Sequence, residues 1–371
     1  MRIAILTYYE IANYGTLLQA YGLWKYLEKR GHDVEFLDEP YGRSMFPYVP
    51  PRIRNFVSRH PLSAWKNVFR NYSAHTVTYF NEMYPRTRYF SSYEDMVENF
   101  HGYDAVVIGS DLVWHPQWCS PKFTNIAFLG FVPEACKRVS ISPSFSATTW
   151  NAPDKDRAGD LLRGFDAIGV REASGRDVVE DMSGRADAEV LIDSAMLLRG
   201  ADYAQLFDKS EGSGPYIFNY LLGWSNGSNE EKLLEVVKSA LRVDLVKNQY
   251  ESNRGLFSRI LRTPARITVK EWLQRISGAK FVLTNSFHGT VFSILFHRPF
   301  ATMLINGKMS CLNERVISLL TLLGLESRMV FNNESDKLRA VVYESVNWDL
   351  VDERLDNERR KVAQFLMKVC L

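Results

Sequence analysis

Hydrophobic and polar positions follow one another along the chain in the order that repeated strand and helix units produce. The apolar run from Arg2 to Thr7 predicts a strand, and Val34 to Leu37 predicts a second one. Between them lies a helix that ends at Gly31, a residue type common just past helix C-termini. Its apolar face has helical spacing and consists of Leu17, Tyr21, Trp24 and Leu27. The first forty residues therefore predict a β-α-β unit.

The same alternation continues through the rest of the chain. Strands are predicted at Ala105 to Ile108, Val139 to Ile141, Ile168 to Val170, Tyr216 to Leu221, near Leu245, Phe281 to Thr284 and Phe300 to Leu304. Helices are predicted at Asp177 to Met182, Glu230 to Leu241, Val269 to Ser277 and Val291 to Phe296. Two successive β-α arrays predict an α/β protein with two doubly wound Rossmann-like domains facing a cleft.

The boundary between the two arrays is predicted where the pattern breaks after Leu191-Ile192-Asp193 and the Gly- and Ser-rich stretch from Lys209 to Gly214 follows. We therefore predict an N-terminal domain over 1–205 and a C-terminal domain over 206–346. Residues 347–371 form a charged amphipathic helix that can pack back on the first domain.

Composition excludes several protein classes. A chain of 371 residues with 46% hydrophobic and 24% charged residues is an ordinary globular protein, which argues against extensive disorder. It contains no apolar run long enough for a membrane-spanning helix, and Met1 leads directly into the first strand without a signal-peptide pattern. We therefore expect a cytoplasmic protein. Its four scattered cysteines, Cys119, Cys136, Cys311 and Cys370, predict free thiols and no metal-ligand pair.

Positive charge is concentrated in one segment, from Tyr41 to Phe90. This basic segment holds eight Lys and Arg residues and the single acid Glu82, a net charge of +7, whereas the whole chain carries +2. Because apolar residues are interleaved with these cations, the segment could lie on an anionic lipid surface at the inner face of the cell membrane. The alternative is a solvated, loop-rich face. No recognition motif for nucleic acid accompanies the charge.

The stretch LTNSFHGTVFS, from Leu283 to Ser293, holds the first candidate for chemistry. It places His288 and Gly289 at a strand-to-helix turn, where backbone N–H groups and the helix dipole attract anions. A helix N-terminus disfavours an imidazolium, so we expect a neutral imidazole that can accept a proton. The alternative is a structural histidine that caps the turn.

Three other loops follow predicted strands and so are expected at the edge of the sheet that faces ligands. The first, EIANYG from Glu10 to Gly15, lacks both the dinucleotide-binding and the P-loop glycine patterns. The second contains Gly109-Ser110-Asp111 and then Trp114, and the third contains Arg171-Glu172.

Taken in order, these motifs resemble the polysaccharide pyruvyl transferase family. The resemblance rests on Asn13-Tyr14-Gly15 with Leu18-Gln19-Ala20, Gly109-Ser110-Asp111 with Trp114, Val170-Arg171-Glu172, Asp193, Thr284-Asn285-Ser286-Phe287-His288-Gly289 and Arg298-Pro299-Phe300. It spans the chain from the first strand to about Arg315 and implies a fold like the B-type glycosyltransferases. The family transfers the pyruvyl group of phosphoenolpyruvate to two hydroxyls of one sugar in a cell-surface polysaccharide or its lipid-linked precursor, making a pyruvate ketal.

The resemblance implies roles for individual residues. His288 is the expected acid or base, and Arg171 is expected to clamp a carboxylate or phosphate. The remaining expected donor-binding residues are Thr284, Ser286, Gly289, Thr290 and Arg315. The expected acceptor-binding residues are Asn13, Gly15, Asp111 and Trp114. Each has a structural alternative: a turn for Asn13 and Gly15, a helix cap for Asp111, the core for Trp114. Asp193 is expected to bridge the domains structurally. Phosphoenolpyruvate is the donor substrate, and no metal or further cofactor is expected.

One position departs from the family pattern. Several relatives have arginine two residues before the histidine, where this chain has Ser286. Another cation would then have to bind the donor, and Arg266, Lys308 and Arg315 are candidates. Otherwise the donor differs, which leaves a nucleotide-sugar-dependent glycosyltransferase of the same fold as an alternative. A non-catalytic glycan-binding protein is a third hypothesis.

Overall fold

The computed structural model describes residues 1–9, 13–39, 82–116, 121–147, 149–150, 154–208, 214–222, 230–251 and 265–371. Within this part of the chain, two parallel sheets are each flanked by helices. The predicted fold of two Rossmann-like α/β domains is therefore confirmed. The last strand of the first sheet ends at Val190, and the first strand of the second sheet begins at Ile217. The predicted boundary between residues 205 and 206 lies between these two strands.

The first sheet has seven strands among the described residues, in the order β3-β2-β1-β4-β5-β6-β7, and all its pairings are parallel. Its strands are β1 (Arg2–Leu6), β2 (Asp33–Asp38), β3 (Arg86–Tyr89), β4 (Ala105–Ile108), β5 (Lys137–Ser140), β6 (Ala167–Val170) and β7 (Glu189–Val190). The strand order reverses between β1 and β4. In open α/β sheets, ligands bind beyond the carboxyl ends of the strands at such a point.

The second sheet has five strands among the described residues, in the order β14-β13-β12-β8-β9, again with parallel pairings. They are β8 (Ile217–Tyr220), β9 (Val246–Asn248), β12 (Phe281–Thr284), β13 (Phe300–Met303) and β14 (Met329–Val330). A short antiparallel pair is formed by β10 (Tyr250–Glu251) and β11 (Ala265–Arg266). The order of the second sheet reverses between β8 and β12.

The helices of the described residues are α1 (Tyr14–Glu28), α2 (Tyr93–Asn99), α3 (Pro121–Ala127), α4 (Lys155–Arg163), α5 (Ala173–Ser183), α6 (Gly200–Ala204), α7 (Glu230–Leu241), α8 (Val269–Ser277), α9 (Phe287–Leu295), α10 (Asn313–Leu323), α11 (Ser335–Tyr343) and α12 (Trp348–Lys368). A 3₁₀ turn, Ser194–Leu197, follows β7. Helix α9 begins four residues before the predicted start at Val291, because Ser286 caps it. His288 therefore lies inside its first turn.

Apolar side chains join the two domains into one continuous core. In β1, Ile3 and Ile5 face the core that contains α1, whereas Ala4 and Leu6 face the core on the other side of the sheet. The core around α1 continues into the second domain, where the ring of Tyr14 stacks on that of Trp272 with centroids 5.3 Å apart. The hydroxyl of Tyr14 also donates to the carbonyl of Ile267 at 2.8 Å. The start of α1 is thus held against the second domain.

The last helix, α12, returns to the first domain. Lys361 donates to the carbonyl of Val190 at 2.6 Å, and Lys368 pairs with Glu189 at 2.5 Å, both on β7. Arg359 donates to the carbonyl of Met196, inside the 3₁₀ turn, and to that of Leu198, just after it. The chain therefore passes from the first domain to the second and back again.

Most of the basic segment, from 41 to 81, lies outside the described residues, as do residues 10–12 of the loop EIANYG. Arg86 and Arg88 of that segment lie in β3, which pairs with β2. Every helix in the described ranges is too short or too polar to cross a lipid bilayer.

Candidate functional site

The candidate site lies where the carboxyl ends of both sheets face each other. Helix α1 follows β1 at the reversal point of the first sheet, and α9 follows β12 at the reversal point of the second sheet. The N-termini of these two helices meet at Gly15 and His288. The contact is so close that a β-carbon built on Gly15 would lie 2.1 Å from Nδ1 of His288. Two positive helix ends therefore point towards one region between the domains.

Gly15 and His288 come together because each helix has a side chain that fixes its first turn. Asn13 caps α1, and its Oδ1 accepts from the amides of Gly15 at 2.9 Å and Thr16 at 3.4 Å. Ser286 caps α9, and its Oγ accepts from the amide of Gly289 at 3.3 Å. The two predicted site residues Asn13 and Ser286 thus have local structural roles.

His288 faces a carboxylate from the first domain. Its Nε2 lies 3.6 Å from Oδ1 of Asp193, and its side chain is almost wholly buried. The imidazole therefore lies between the N-terminus of α9 and the carboxylate of Asp193. With Nε2 towards Asp193, the other ring nitrogen, Nδ1, lies beside Gly15.

Asp193 lies at the centre of the site and is fully buried. Its Oδ1 accepts from the amide of Ala195 at 2.9 Å, and its Oδ2 accepts from Oγ of Ser110 at 2.5 Å and from Nη1 of Arg171 at 2.9 Å. Burial acts to raise the pKa of Asp193, but the attraction of His288 and Arg171 and the hydrogen bonds outweigh it and hold the pKa below its usual range. Asp193 therefore joins groups from both domains, the bridging role expected from the sequence.

Arg171 presents an edge of its guanidinium that is not hydrogen-bonded. Its side chain is 3% exposed, and Nη1 is taken by Asp193, whereas Nε and Nη2 have no hydrogen-bond partner among the described residues. Oε2 of Glu172 lies 3.6 Å from Nε. The other oxygen of Glu172 accepts from the hydroxyl of Ser144 and from the amides of Phe145 and Ser146. A buried guanidinium edge without a partner suits a carboxylate or phosphate group.

A second guanidinium, that of Arg315, lies against the same aromatic ring as that of Arg171. The Cζ atoms of Arg171 and Arg315 lie 4.7 Å and 5.5 Å from the ring centroid of Phe287, whose ring also contacts that of His288 edge to face at 5.1 Å. Burial, and then repulsion by Arg171, lower the pKa of Arg315 to about 10. Two cations held this close in a partly desolvated region favour the binding of an anion.

Asp111 stands at the same edge of the first sheet, in an unusual conformation. Its φ is 75°, in the left-handed region that non-glycine residues rarely adopt, and its backbone bridges to Pro143. Its Oδ2 accepts from Oγ1 of Thr16 in α1 at 2.6 Å. Strain at such a position is common at functional sites. Among the described residues Asp111 caps no helix, and its carboxylate is bonded to Thr16 at the start of α1.

Trp114, expected from the sequence to bind the acceptor, lies in the core instead. It is fully buried, its Nε1 donates to the carbonyl of Ala127 at 2.9 Å, and its ring stacks on Phe128 with centroids 5.1 Å apart. The loop after β4 turns its indole inward, under the sheet, so no ring face is left for a sugar.

The predicted anion-binding nest of Thr284, Ser286, Gly289 and Thr290 is occupied by bonds within the protein. Thr284 donates to the carbonyl of Tyr220 at 2.9 Å, and Thr290 shares a hydrogen bond of 2.7 Å with Thr302. The amide of Thr290 donates to the carbonyl of Ser286 at 3.0 Å, as in any helix, and the amide of Gly289 bonds the Ser286 side chain. The donors of Thr284, Gly289 and Thr290 are therefore used within the protein, and the Ser286 oxygen accepts as the cap of α9.

Three cations were candidates to bind the donor in place of an arginine at position 286. Of these, Arg315 has its side chain in the described part of the chain. The side chains of Arg266 and Lys308 lie outside the described residues. Residues not predicted from the sequence also contribute: Ser110, Thr16, Glu172, Phe287 and His115. Ser110, Glu172 and Phe287 carried a signal, since each lies inside one of the family motifs quoted from the sequence.

The site can therefore bind an anion and exchange a proton beside it. A histidine oriented by a carboxylate is the arrangement used for general acid–base catalysis, and the unpaired guanidinium edge is the arrangement used for planar or tetrahedral anions. The two groups belong to different domains and share one partner, Asp193.

Comparisons with known proteins agree with this architecture. A model of the polysaccharide pyruvyl transferase family matches residues 13–306 of the chain. No curated protein sequence matches it.

Among solved structures, UDP-GlcNAc 2-epimerase from Neisseria meningitidis bound to UDP-GlcNAc superposes with a TM-score of 0.52 at 11% identity, covering 99% of this chain and 100% of that chain. UDP-GlcNAc 2-epimerase from Methanocaldococcus jannaschii has a TM-score of 0.52 at 11% identity, covering 94% and 93%. UGT89C1 from Arabidopsis thaliana complexed with UDP-L-rhamnose has a TM-score of 0.50 at 11% identity, covering 100% and 99%. Similarity at this level shows the fold alone, which is that of the B-type glycosyltransferases.

Proposed function

The chain belongs to the polysaccharide pyruvyl transferase family, and we propose that it transfers the pyruvyl group of phosphoenolpyruvate to two hydroxyls of one sugar, forming a pyruvate ketal. The observation that carries this proposal is the meeting of His288 and Arg171, from different domains, at the buried carboxylate of Asp193. Their roles follow from what the reaction demands.

The reaction needs both proton transfer and charge neutralisation. Protonation of the methylene carbon of phosphoenolpyruvate makes the central carbon electrophilic, and a sugar hydroxyl then adds to it. Phosphate leaves, a second hydroxyl of the same sugar adds, and the product is a ketal plus inorganic phosphate. Two hydroxyl protons are released in total: one replaces the proton delivered to carbon, and the other leaves with phosphate. His288, oriented by Asp193, is the group proposed to carry these protons.

Arg171 is the group proposed to hold the carboxylate of phosphoenolpyruvate. Its Nε and Nη2 form one edge of the guanidinium, both are buried, and neither has a hydrogen-bond partner in the described part of the chain. Two parallel N–H groups match the two oxygens of a carboxylate, a geometry that lysine cannot offer.

The acceptor is proposed to be a saccharide, lipid-linked or part of a polysaccharide, that approaches from the first domain. Asp111 supports this assignment, because its carboxylate lies at the end of β4 and is held by Thr16 at the start of α1. A carboxylate is a common hydrogen-bond acceptor for sugar hydroxyls. The membrane contact proposed for the basic segment would bring the enzyme to a lipid-linked acceptor.

Ligand-induced stabilisation tests the donor directly. Phosphoenolpyruvate is expected to raise the melting temperature of the purified protein, and UDP-GlcNAc is expected not to. Stabilisation by UDP-GlcNAc and not by phosphoenolpyruvate would favour the glycosyltransferase alternative, which the fold also permits.

Turnover tests the chemistry. With a cell-surface glycan extract as acceptor, release of inorganic phosphate should require phosphoenolpyruvate, and His288→Gln should slow it by about 10² to 10⁴-fold. His297→Gln is the matched control, because His297 pairs with Asp352 at the surface. Unchanged phosphate release in His288→Gln would remove this histidine from the mechanism. Unchanged glycan modification in cells carrying that variant would favour the non-catalytic hypothesis.

A further inference from the structure

We infer that Arg315 and His115, one from each domain, form a binding site for the phosphoryl group of the donor, separate from the Arg171 edge that takes its carboxylate. This inference deepens the proposed function and rests on it. It assigns the two anionic groups of one small molecule to two different cations.

Packing between the domains brings the loop that carries His115 and the segment that carries Arg315 to one apolar contact. Leu112 in the loop after β4 packs with Leu312 and Ile305 of the second domain in one small apolar cluster. The amide of His115 donates to the carbonyl of Leu112 at 3.1 Å, and Nε of Arg315 contacts the carbonyl of Leu312 at 3.4 Å. Each residue is therefore one turn away from the same apolar contact.

The electrostatic coupling of the two residues agrees with this placement. Burial lowers the pKa of His115, and Arg315 lowers it further. A neutral imidazole next to a guanidinium can donate an N–H to a phosphoryl oxygen without adding repulsion to the cation. Arg315 in turn interacts electrostatically with Arg171, Asp111, Glu172 and Asp193, so its guanidinium lies within reach of these charged site residues.

Charge compensation decides which anionic group goes to which cation. Arg171 is paired with Asp193 at 2.9 Å and lies near Glu172 at 3.6 Å. Arg315 forms no ion pair with any residue in the described ranges, and it is partly buried beside Phe287. The more highly charged phosphoryl group should bind at the cation that has no direct ion pair, and the singly charged carboxylate at the other.

The distances suit a single bridging molecule. The Cζ atoms of Arg171 and Arg315 lie 4.7 Å and 5.5 Å from the ring centroid of Phe287. They are therefore at most about 10 Å apart, which is the sum of these two distances. A small molecule with two anionic groups spans such a gap when each group accepts hydrogen bonds from its own guanidinium. His288, whose ring contacts that of Phe287, then lies beside the reacting carbon between the two groups.

Two probes separate the two subsites: inorganic phosphate and pyruvate, each titrated calorimetrically into the full chain. Arg315→Gln should weaken phosphate binding at least tenfold and change pyruvate binding less than twofold. Arg171→Lys should show the opposite pattern. His115→Gln should weaken phosphate binding a few-fold. Arg315→Lys keeps the charge and should retain phosphate binding within a few-fold of wild type.

Arg339→Gln is the matched control, because Arg339 is an exposed arginine of the same domain, on α11. Equal phosphate affinity in wild type and Arg315→Gln, with both proteins folded by their melting curves, would overturn the inference, and so would a wild-type protein that binds no phosphate. A wild type that binds phosphate through Arg315 but is not stabilised by phosphoenolpyruvate would instead contradict the proposed donor while leaving the phosphoryl site in place.

Discussion

Gly15 and His288 touch across the boundary between the two domains, and the contact leaves no room for a side chain on the glycine. A β-carbon at residue 15 would lie 2.1 Å from Nδ1 and 2.2 Å from Cγ of the imidazole. Gly15 lies within α1 and has no left-handed φ, so glycine is required here for close approach and not for a turn. The structure thus gives Gly15 a contact with the candidate acid–base group, which is neither the turn nor the acceptor-binding role considered from the sequence.

Gly15→Ala should therefore displace the imidazole. We expect phosphate release from phosphoenolpyruvate to slow by about 100-fold, since a shift of about 1 Å at a catalytic group has that effect. Donor binding, measured by the melting-temperature shift, should change much less. Gly164→Ala is the matched control, because the nearest atom to its new β-carbon would be 3.4 Å away. Full activity in Gly15→Ala would show that the position of His288 is unimportant.

Asp193→Asn should destabilise the protein by about 3 kcal/mol at pH 7, because it leaves the buried guanidinium of Arg171 without its charged partner. The pKa of Asp193 is lowered in the folded state. A carboxylate of this kind adds stability above its unfolded pKa and loses that contribution as pH falls towards the folded pKa. The difference between wild type and variant should therefore shrink below about pH 4.

Urea denaturation at a series of pH values measures this difference. Asp187→Asn is the control, because Asp187 pairs with Arg185 at the surface with its side chain 64% exposed, so its loss should matter little at any pH. A difference between wild type and Asp193→Asn that stays constant down to pH 3 would contradict the proposed ionisation of Asp193.

Ser286→Ala should cost stability and leave donor binding unchanged. The side chain caps α9, and loss of such a cap costs about 1 kcal/mol. Thr268→Ala is a matched comparison, because Thr268 caps α8, a helix of the same nine-residue length. Both variants should lose similar stability in thermal denaturation. A tenfold loss of phosphoenolpyruvate affinity in Ser286→Ala alone would restore Ser286 to the donor site.

Trp114→Phe should lower stability by about 2 kcal/mol, because it opens a cavity and removes the donor to the Ala127 carbonyl. The rate of phosphate release by Trp114→Phe at limiting glycan concentration should equal that of wild type. Trp348→Phe serves as the control, since Trp348 is half-buried and stacks on His297. A slower rate at limiting glycan, with the melting temperature preserved, would return Trp114 to the acceptor site.

Much of the fold follows from local pattern. Strands β4 and β12 consist of buried apolar residues, and their predicted limits agree with the structure, as do those of α7 and α8. Strand β3, with the polar sequence RTRY, was not predicted, because its charges carry no alternating apolar signal. It is a strand because it pairs with β2 at the edge of the sheet.

The candidate site was predictable only in part. His288 and Arg171 could be found because they follow apolar strands directly. Asp193 could be assigned a bridging role from the sequence, but not its partners, since its contacts with Arg171 and His288 join residues 22 and 95 positions away. The amides of Gly289 and Thr290, predicted to form an anion nest, have local partners in this structure: the helix cap and the first helical hydrogen bond. The sequence indicates which polar groups lie at the edge of a sheet, and packing decides which of them remain available to bind a ligand.

The return of α12 to the first domain has a consequence for biosynthesis. Val190 and Glu189 receive their partners Lys361 and Lys368 only after the whole second domain has left the ribosome. Since domains generally begin to fold in order of synthesis, the nascent first domain must wait with this flank uncovered until the partner residues, 171 and 179 positions further along the chain, are translated. Chaperones that shield apolar surface would be most useful during that interval.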